Sequence, residues 1–187
     1  MSSIRLFILD ALEREGPMHG HQLRLLAEKE HVQEWTDITV GALYGAIKRL
    51  AAEDLIEEVR QEREGLYPER QVYAITEAGR RSLGILRIDG LREIVIKPDP
   101  FDLAMSRLDR DHLDDLEGLL GVRVATLKAR LETYIAHTAS IEKYLSLGES
   151  IVMQHMTERL RAEVTWHEQL YHQLPAIIAD ESARKDR

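Results

Sequence analysis

The sequence predicts a mainly α-helical (α+β) protein: a winged helix-turn-helix domain followed by a long-helix C-terminal dimerisation domain. Three observations support this fold class. Residues 1–87 alternate short helical patterns of apolar residues with turn signals. Within them, two segments of period-two alternation flank a loop with glycine and proline, which is typical of a β-hairpin. From residue 113 onward, apolar residues recur every three or four positions for about 33 residues, as in a coiled coil.

The composition excludes several classes of chemistry. The 187 residues are 44% hydrophobic and 31% charged, and cysteine is absent, which excludes disulfides, thiolate nucleophiles and cysteine-ligated zinc. No segment has the length of a membrane span and the N-terminus lacks a signal-peptide pattern, so we expect a cytoplasmic protein without membrane contact. The net charge of −8 means that any DNA-binding charge must be concentrated on a small surface.

Three short helices are predicted before the hairpin. The first ends at the turn sequence EGP, the second runs from about Gly20 to Lys29, and the third ends near Glu53. Residues 31–37 are expected to form a loop or a frayed segment. Either Thr36 or Thr39 is available as the N-cap of the third helix.

The hairpin and the following helix complete the predicted winged domain, which spans residues 1–87. Segments 55–61 and 70–76 alternate apolar and polar residues, and the loop between them contains Gly65 and Pro68. Thr76 is the expected N-cap of a fourth helix.

The remainder of the chain is predicted to be helical. Residues 88–100 contain one glycine and two prolines and are interpreted as a hinge. The helical dimerisation domain is expected at 101–180, with a break at 146–150, and Pro175 and a polar tail at 181–187 are expected to end the fold. The heptad-like seam consists of Leu113, Leu116, Leu120, Val124, Leu127, Leu131, Tyr134, Thr138, Ile141 and Leu145.

The length of this seam favours dimerisation. A long helical hairpin has more apolar stripe than it can bury against itself, and helix-turn-helix proteins usually read duplex DNA in two copies. An intramolecular helical bundle is the alternative.

The third helix has a bare outward face. Its apolar side consists of Val40, Leu43, Ile47 and Leu50. The opposite stripe consists of Gly41, Gly45, Lys48 and Ala52. A glycine within a helix costs about 1 kcal/mol relative to alanine, so the two glycines require an explanation.

Entry into the major groove of DNA would explain this face. Small residues let the backbone approach the base edges, Lys48 and Arg49 can reach phosphate or guanine, and Tyr44 can donate to a phosphate. Close helix packing is the alternative explanation for Gly45, and an ordinary solvated surface is the alternative for the basic pair. The hairpin favours DNA, because it adds basic residues that can contact phosphates independently: Arg60, Arg63 and Arg70.

Residues 4–87 closely resemble the N-terminal domain of PadR-family transcriptional regulators. The resemblance is carried by GPMHGHQL and by WTDITVGALYGAIKRLAAEDLIEEVRQEREGLYPERQVYAITEAGRRSL. It implies a two-fold dimer that binds double-stranded operator DNA, usually as a repressor, and that responds to a small phenolic or drug-like effector. The functional alternative is a winged-helix module for protein–protein interaction without sequence-specific DNA binding.

The resemblance also implies positions for individual residues. On the recognition helix it places Thr39, Gly41, Tyr44 and Lys48. On the wing it places Arg63, Gly65 and Arg70. His19 falls in the HG pair that opens the second helix, near the DNA backbone. Two residues depart from the family pattern: His21 replaces an aromatic residue that is often tyrosine, and Asp54 replaces a glycine that supplies a left-handed helix cap.

No motif indicates an enzyme, a cofactor site or a metal site. The chain lacks a phosphate-binding glycine loop and a nucleophile elbow, and its neighbouring histidines do not have the i, i+4 spacing of a helical zinc site. Glu163, His167 and Tyr171 share a helix face, which is more typical of hydrogen bonding between helices. Trp35 and Trp166 are candidates for an effector pocket, although core packing is favoured for both, as it is for Tyr134 and Tyr144.

Overall fold

The computed structural model describes residues 2–63 and 69–185, and the chain divides into two compact units, Met1–Ile96 and Lys97–Arg187. Among the described residues, no helix combines the length and apolar character that a membrane span requires.

The first unit has the predicted winged-helix architecture. Its elements are α1 (Ser3–Arg14), β1 (Met18–His19), α2 (Gly20–Lys29), α3 (Val32–Trp35), α4 (Leu43–Ala52), β2 (Ile56–Glu62), β3 (Arg70–Ile75) and α5 (Glu77–Arg92). A 3-10 turn, Val40–Ala42, precedes α4. The strands form one antiparallel sheet in the order β1-β3-β2.

Two short elements were not predicted. β1 has only two residues, too few for an alternating pattern, and it forms because Met18 and His19 pair with Tyr73 and Val72 of β3. The segment 31–37, expected to be a loop or frayed, contains the four-residue helix α3, whose Val32 is buried in the core.

The core of the first unit holds α4 in place. Its largest fully buried side chains come from α1, α2, α3, α4, the sheet and α5: Ile8, Leu9, Leu23, Val32, Leu43, Leu50, Ile56, Val72 and Leu83. Burying a side chain of this size contributes about 1.5–3 kcal/mol. Two of these residues belong to α4, so its apolar side is fixed inward and its other side faces out.

The end of α4 shows how Asp54 replaces glycine. Asp54 has a φ of +55°, in the left-handed region. The Asp54 N–H donates to the Ala51 carbonyl (3.1 Å) and the Leu55 N–H donates to the Leu50 carbonyl (3.0 Å). These two bonds form a Schellman motif, so the aspartate preserves the helix end that glycine usually provides.

The predicted hinge begins too early in the chain. α5 continues to Arg92, so residues 88–92 are helical and Gly90 does not end the helix. The guanidinium of Arg87 anchors α5 to α1, because it donates to Asp10 (2.6 Å) and to Glu13 (3.2 Å). A single glycine costs only about 1 kcal/mol, which is too little to break an anchored helix.

The described part of the second unit contains three α-helices, α6 (Pro100–Met105), α7 (Leu116–Ile141) and α8 (Leu147–Lys185), and two 3-10 turns, Leu113–Asp115 and Glu142–Tyr144. Asp99 caps α6 by accepting the Phe101 N–H (2.9 Å), and Pro100 occupies the first helical position. The break occurs earlier than the expected 146–150 and is shorter, because only Leu145 and Ser146 are non-helical and α8 begins at Leu147.

Pro175 does not end the fold, because it lies inside α8. The helix continues to Lys185, so most of the predicted polar tail at 181–187 is helical. A proline removes one helical hydrogen bond, but contacts beyond it hold the last turns in place. Ile178 packs on the core of the second unit, and Arg110 Nε donates to Glu181 (2.9 Å).

The apolar seam of α7 packs within the chain. Leu116 and Leu120 are buried beside Leu174 of α8, and the Tyr134 hydroxyl lies 3.0 Å from the sulfur of Met153. This part of the seam, which is expected to contact a second copy, is therefore covered by α8 of the same chain. Other apolar residues of the second unit remain exposed: Leu119, Val122, Leu147, Ile151 and Val152.

Candidate nucleic-acid interface

The outward side of α4 is the candidate interface. Leu43, Ala46, Ile47 and Leu50 are buried on the inward side, where Ala46 completes the predicted apolar face and Val40 is half-buried. The outward side carries the predicted residues Thr39, Gly41, Tyr44, Gly45, Lys48 and Arg49, of which all but the half-buried Gly45 are exposed.

Helix packing does not explain the two glycines on this side. A Cβ added to Gly41 would meet no atom within 4 Å. A Cβ added to Gly45 would meet only Nη1 of Arg49, at 3.4 Å. Neither glycine makes room for another element of the described chain, so the bare stripe faces open space.

Tyr44 is placed by a glycine on another helix. A Cβ on Gly20, at the start of α2, would lie 2.9 Å from Cε1 of Tyr44 and 3.3 Å from Cδ1 of Ile47. Gly20 therefore lets the start of α2 approach α4 closely, with the phenol ring against it and still half-exposed. We did not predict this contact; its only signal in the sequence is the HG pair itself.

The polar groups before α4 differ from the prediction. The Thr36 hydroxyl accepts the Ile38 N–H (3.1 Å) and donates to the Val32 carbonyl, so it holds the preceding loop. Thr39 occupies the N-cap position of the 3-10 turn, but its side chain forms no cap hydrogen bond. Neither threonine side chain therefore caps α4, and the Thr39 side chain is exposed.

The basic pair carries the positive charge of this surface. Lys48 and Arg49 are exposed, and neither forms an ion pair with any described carboxylate. Glu53, the nearest acidic residue along α4, pairs with Arg5 of α1 instead. This part of α4 can therefore receive an anion such as phosphate.

The wing contributes fewer basic groups than expected. Arg60 pairs with Glu62, at 2.7 Å. Arg63 is exposed just after β2, and Arg70 opens β3 opposite Glu62. Gly65 and Pro68 lie outside the described residues.

His19 is a buried helix cap within the first unit. Its ring is buried, with 7% of the residue exposed, and its Nδ1 accepts the Gln22 N–H (3.0 Å) while the Gln22 side chain accepts the His19 N–H (3.0 Å). This reciprocal pair is a capping box that starts α2. We therefore leave His19 out of the interface. His21 is half-buried, with its Nδ1 3.5 Å from the Arg24 guanidinium.

The cap makes the stability of the first unit depend on pH. Burial lowers the pKa of His19 below its ordinary value of 6.5, and the nearby Arg70 charge adds to the effect. At His19 the unfolded chain thus binds a proton more readily than the folded chain does. The stabilisation by the neutral His19 cap is therefore present above pH 6.5 and is lost as the pH falls below it.

We expect His19→Asn to remove this pH dependence. Asparagine is a strong N-cap that cannot be protonated, whereas protonating Nδ1 destroys the native cap, which is worth about 1 kcal/mol. Denaturant unfolding from about pH 7.5 to about pH 5.5 should show the wild type losing stability relative to the variant. If the free energies of unfolding of the two proteins changed with pH in parallel, this assignment would be contradicted. Asp109 raises the pKa of His112, so His112 gives stability the opposite pH dependence. Both proteins contain His112, so its effect cancels in the comparison.

The two tryptophans are not core residues. Trp35 is 39% exposed and its Nε1 donates to the Glu30 carbonyl (3.2 Å). Trp166 is 47% exposed and meets the rings of Phe101 and His167 edge-on. The expectation of core packing is therefore wrong for both, and also for the exposed Tyr144, whereas Tyr134 is buried.

His167 forms the interhelical hydrogen bond that was expected of its helix face. It is buried, its Nδ1–H donates to the Glu163 carbonyl (2.8 Å), and its Nε2 accepts from Arg123 Nε (2.8 Å). Arg123 also donates to Asp99 (2.6 Å), with its guanidinium 4.2 Å from the centre of the Phe101 ring. Within the described part of the chain, no three side chains are grouped to hold a metal ion.

The winged domain matches a known protein family. Residues 8–85 match the transcriptional regulator PadR-like family. No curated protein matches the sequence.

Solved structures of similar fold span nearly the whole chain. The Bacillus subtilis PadR complex with operator DNA is 23% identical, with a TM-score of 0.69, and covers 93% of this chain and 98% of that one. The Bacillus subtilis PadR complex with p-coumaric acid is 21% identical, with a TM-score of 0.68 and coverage of 93% and 99%. The protein smu.1604c from Streptococcus mutans UA159 is 18% identical, with a TM-score of 0.66 and coverage of 90% and 98%. At these identities the likeness establishes the fold.

Proposed function

We propose that the protein, whose residues 8–85 match the PadR-like family of transcriptional regulators, is a dimeric repressor that binds operator DNA and is released by a small-molecule effector. A regulator of operator DNA acts in the cytoplasm, where we place this one.

The observation that carries the proposal is the outward side of α4. The core fixes α4 from one side. Among the described residues, the other side presents two glycines against which no other element packs and two basic residues without ion pairs. A helix with a low-bulk, cationic face fits the major groove, whose base edges lie deep between phosphates. Lys48 and Arg49 would contact phosphate or guanine, and Thr39 and Tyr44 would donate to phosphates.

The wing would add a second contact with the DNA backbone. Arg63 and Arg70 lie at the two ends of the hairpin loop, on either side of residues 64–68. Basic residues in that position can neutralise phosphates beside the groove that α4 enters. The exposed carboxylates of Glu57 and Glu58 on β2 would keep this contact small.

A homodimer would present two copies of α4 to successive major grooves, about 34 Å apart. Exposed apolar side chains on the helices of the second unit, such as Leu119 and Val122, support association through the C-terminal helices.

An effector would act by shifting the spacing of the two copies of α4. One structural neighbour was solved with p-coumaric acid, which supports a phenolic compound as the class to test. The exposed Trp35 and Trp166 are the side chains we would examine first, because aromatic rings bind such compounds by stacking.

We expect Lys48→Ala to weaken binding to the DNA upstream of the protein's own gene by about tenfold, because one charge-assisted phosphate contact is lost. The salt dependence, as the slope of log K against log salt, should fall by about one. Gel-shift titrations at several salt concentrations measure both quantities. Adding p-coumaric acid to the complex tests the effector.

Lys97→Ala is the matched control, since it removes the same charge from an exposed residue of the second unit. It should bind DNA like the wild type, and both variants should have the solution mass of two chains. Absence of a shift at low salt, or full binding by Lys48→Ala, would reject the repressor and favour a protein–protein interaction module.

A further inference from the structure

We infer that Arg5 of α1 is a positioning residue for DNA binding: it holds the carboxylate of Glu53 and thereby leaves Arg49 of α4 available to DNA. The inference rests on the proposed function and adds to it a residue outside the recognition helix.

Arg5 and Glu53 form a bidentate ion pair. Arg5 Nη1 donates to Oε1 of Glu53 at 2.7 Å, and Nη2 donates to Oε2 at 2.5 Å. A bidentate pair of this kind fixes both planar groups more strongly than a single contact does. The two residues are 48 positions apart in the sequence, so the pair depends on the packing of α1 against the end of α4.

Arg49 is the competing partner for Glu53. The two residues are four positions apart at the end of α4, the spacing at which arginine and glutamate side chains normally meet on a helix. The positive charge of Arg49 does reach this carboxylate, because it contributes to lowering the pKa of Glu53, although the hydrogen bonds from Arg5 are the largest cause.

Arg49 nevertheless points the other way. Its Nη1 lies 3.4 Å from the position that a Cβ of Gly45 would take, one turn towards the start of α4. No described carboxylate forms an ion pair with it. The Arg49 guanidinium thus lies along the bare stripe, where DNA would approach. Arg5 holds Glu53 at the C-terminal end of α4, away from this guanidinium.

Removing Arg5 would change this balance. Glu53 would lose both of its donors, and Arg49 is the cation best placed to replace them. Arg49 would then have to leave an ion pair before it could bind a phosphate, and an uncompensated carboxylate would repel the DNA backbone.

The test is a double-mutant cycle measured by operator binding with the full-length protein. Arg5→Gln should weaken binding roughly three- to tenfold, since Glu53 then competes for Arg49. Glu53→Gln should bind as well as the wild type or better. In the Glu53→Gln background, Arg5→Gln should have no further effect, because the competing carboxylate is gone. In an Arg49→Ala background, Arg5→Gln should have a smaller effect than in the wild type, because only the repulsion between Glu53 and the DNA backbone remains.

Arg14→Gln is the matched control. It removes an arginine from the same helix, and the partner of Arg14 is Asp10, which is not part of α4. The inference would be overturned if Arg14→Gln weakened operator binding as much as Arg5→Gln does. It would also be overturned if Arg5→Gln weakened binding equally in the wild-type and Glu53→Gln backgrounds. Thermal unfolding of each variant confirms that the folded protein is being compared.

The outcomes separate this inference from the proposed function. If the wild type binds DNA and Lys48→Ala weakens it, but Arg5→Gln binds normally, only the inference is rejected. If the wild type binds no DNA at all, both are rejected.

Discussion

Gly79→Ala is expected to lower the free energy of unfolding of the first unit by about 3 kcal/mol, the upper end of the usual cost of overpacking. A Cβ on Gly79 would lie 2.1 Å from the carbonyl oxygen of Leu55 and 2.7 Å from Cγ1 of Ile75. The carbonyl cannot easily move, because it accepts the Thr76 N–H (3.1 Å). Thr76 in turn caps α5 by accepting the Gly79 N–H (3.0 Å).

Gly84→Ala provides the control for this effect. Gly84 lies five residues later in α5, and a Cβ there would meet no atom within 4 Å. That variant should gain up to about 1 kcal/mol, because alanine favours a helix more than glycine does. Denaturant unfolding followed by circular dichroism compares the three proteins. Similar midpoints for Gly79→Ala and the wild type would mean that α5 does not pack so closely on the Leu55 carbonyl.

Gly45→Glu should reduce operator binding by about a hundredfold, equivalent to about 2.7 kcal/mol. The added carboxylate would lie on the bare stripe of α4, where it would repel phosphates. It would also stand four residues before Arg49, in the favoured order for a helical ion pair, and so would neutralise that arginine. The fold should be retained, because only the Arg49 side chain lies near a Cβ at this position.

Gly84→Glu is the matched variant for binding. It adds the same charge to the same unit, at an open position on α5 instead of α4. It should bind the operator nearly as well as the wild type. If Gly45→Glu also binds normally, the stripe is an ordinary solvated surface and the major-groove interpretation fails.

Much of the first unit could be predicted because its signals are local. The apolar face of α4 follows from the spacing of Leu43, Ile47 and Leu50, and all three are buried. Thr76 caps α5 as predicted, and both hairpin strands lie within one residue of the predicted segments. The exposed positions of Lys48 and Arg49 follow from the same helix geometry, although their role in binding DNA stays a prediction.

Pairs of distant residues could not be predicted in this way. The ring of His19 caps a helix while Gly20 beside it admits Tyr44 of α4, and the HG pair alone does not distinguish these roles. Gly45 and Gly79 look alike in the sequence, yet a Cβ meets one flexible guanidinium at the first and a fixed carbonyl at the second.

Local sequence patterns are enough to predict the longer helices and strands of the first unit, the inward side of α4 and the resemblance of residues 8–85 to the PadR-like family, because each depends on neighbours along the chain. Tertiary packing decides instead which distant partner a side chain meets. It placed the seam of α7 against α8, and it joined Glu53 to Arg5 rather than to Arg49. The physical reason is that burial and ion pairing depend on distances across the folded chain, whereas periodicity records only which side of an element a residue occupies.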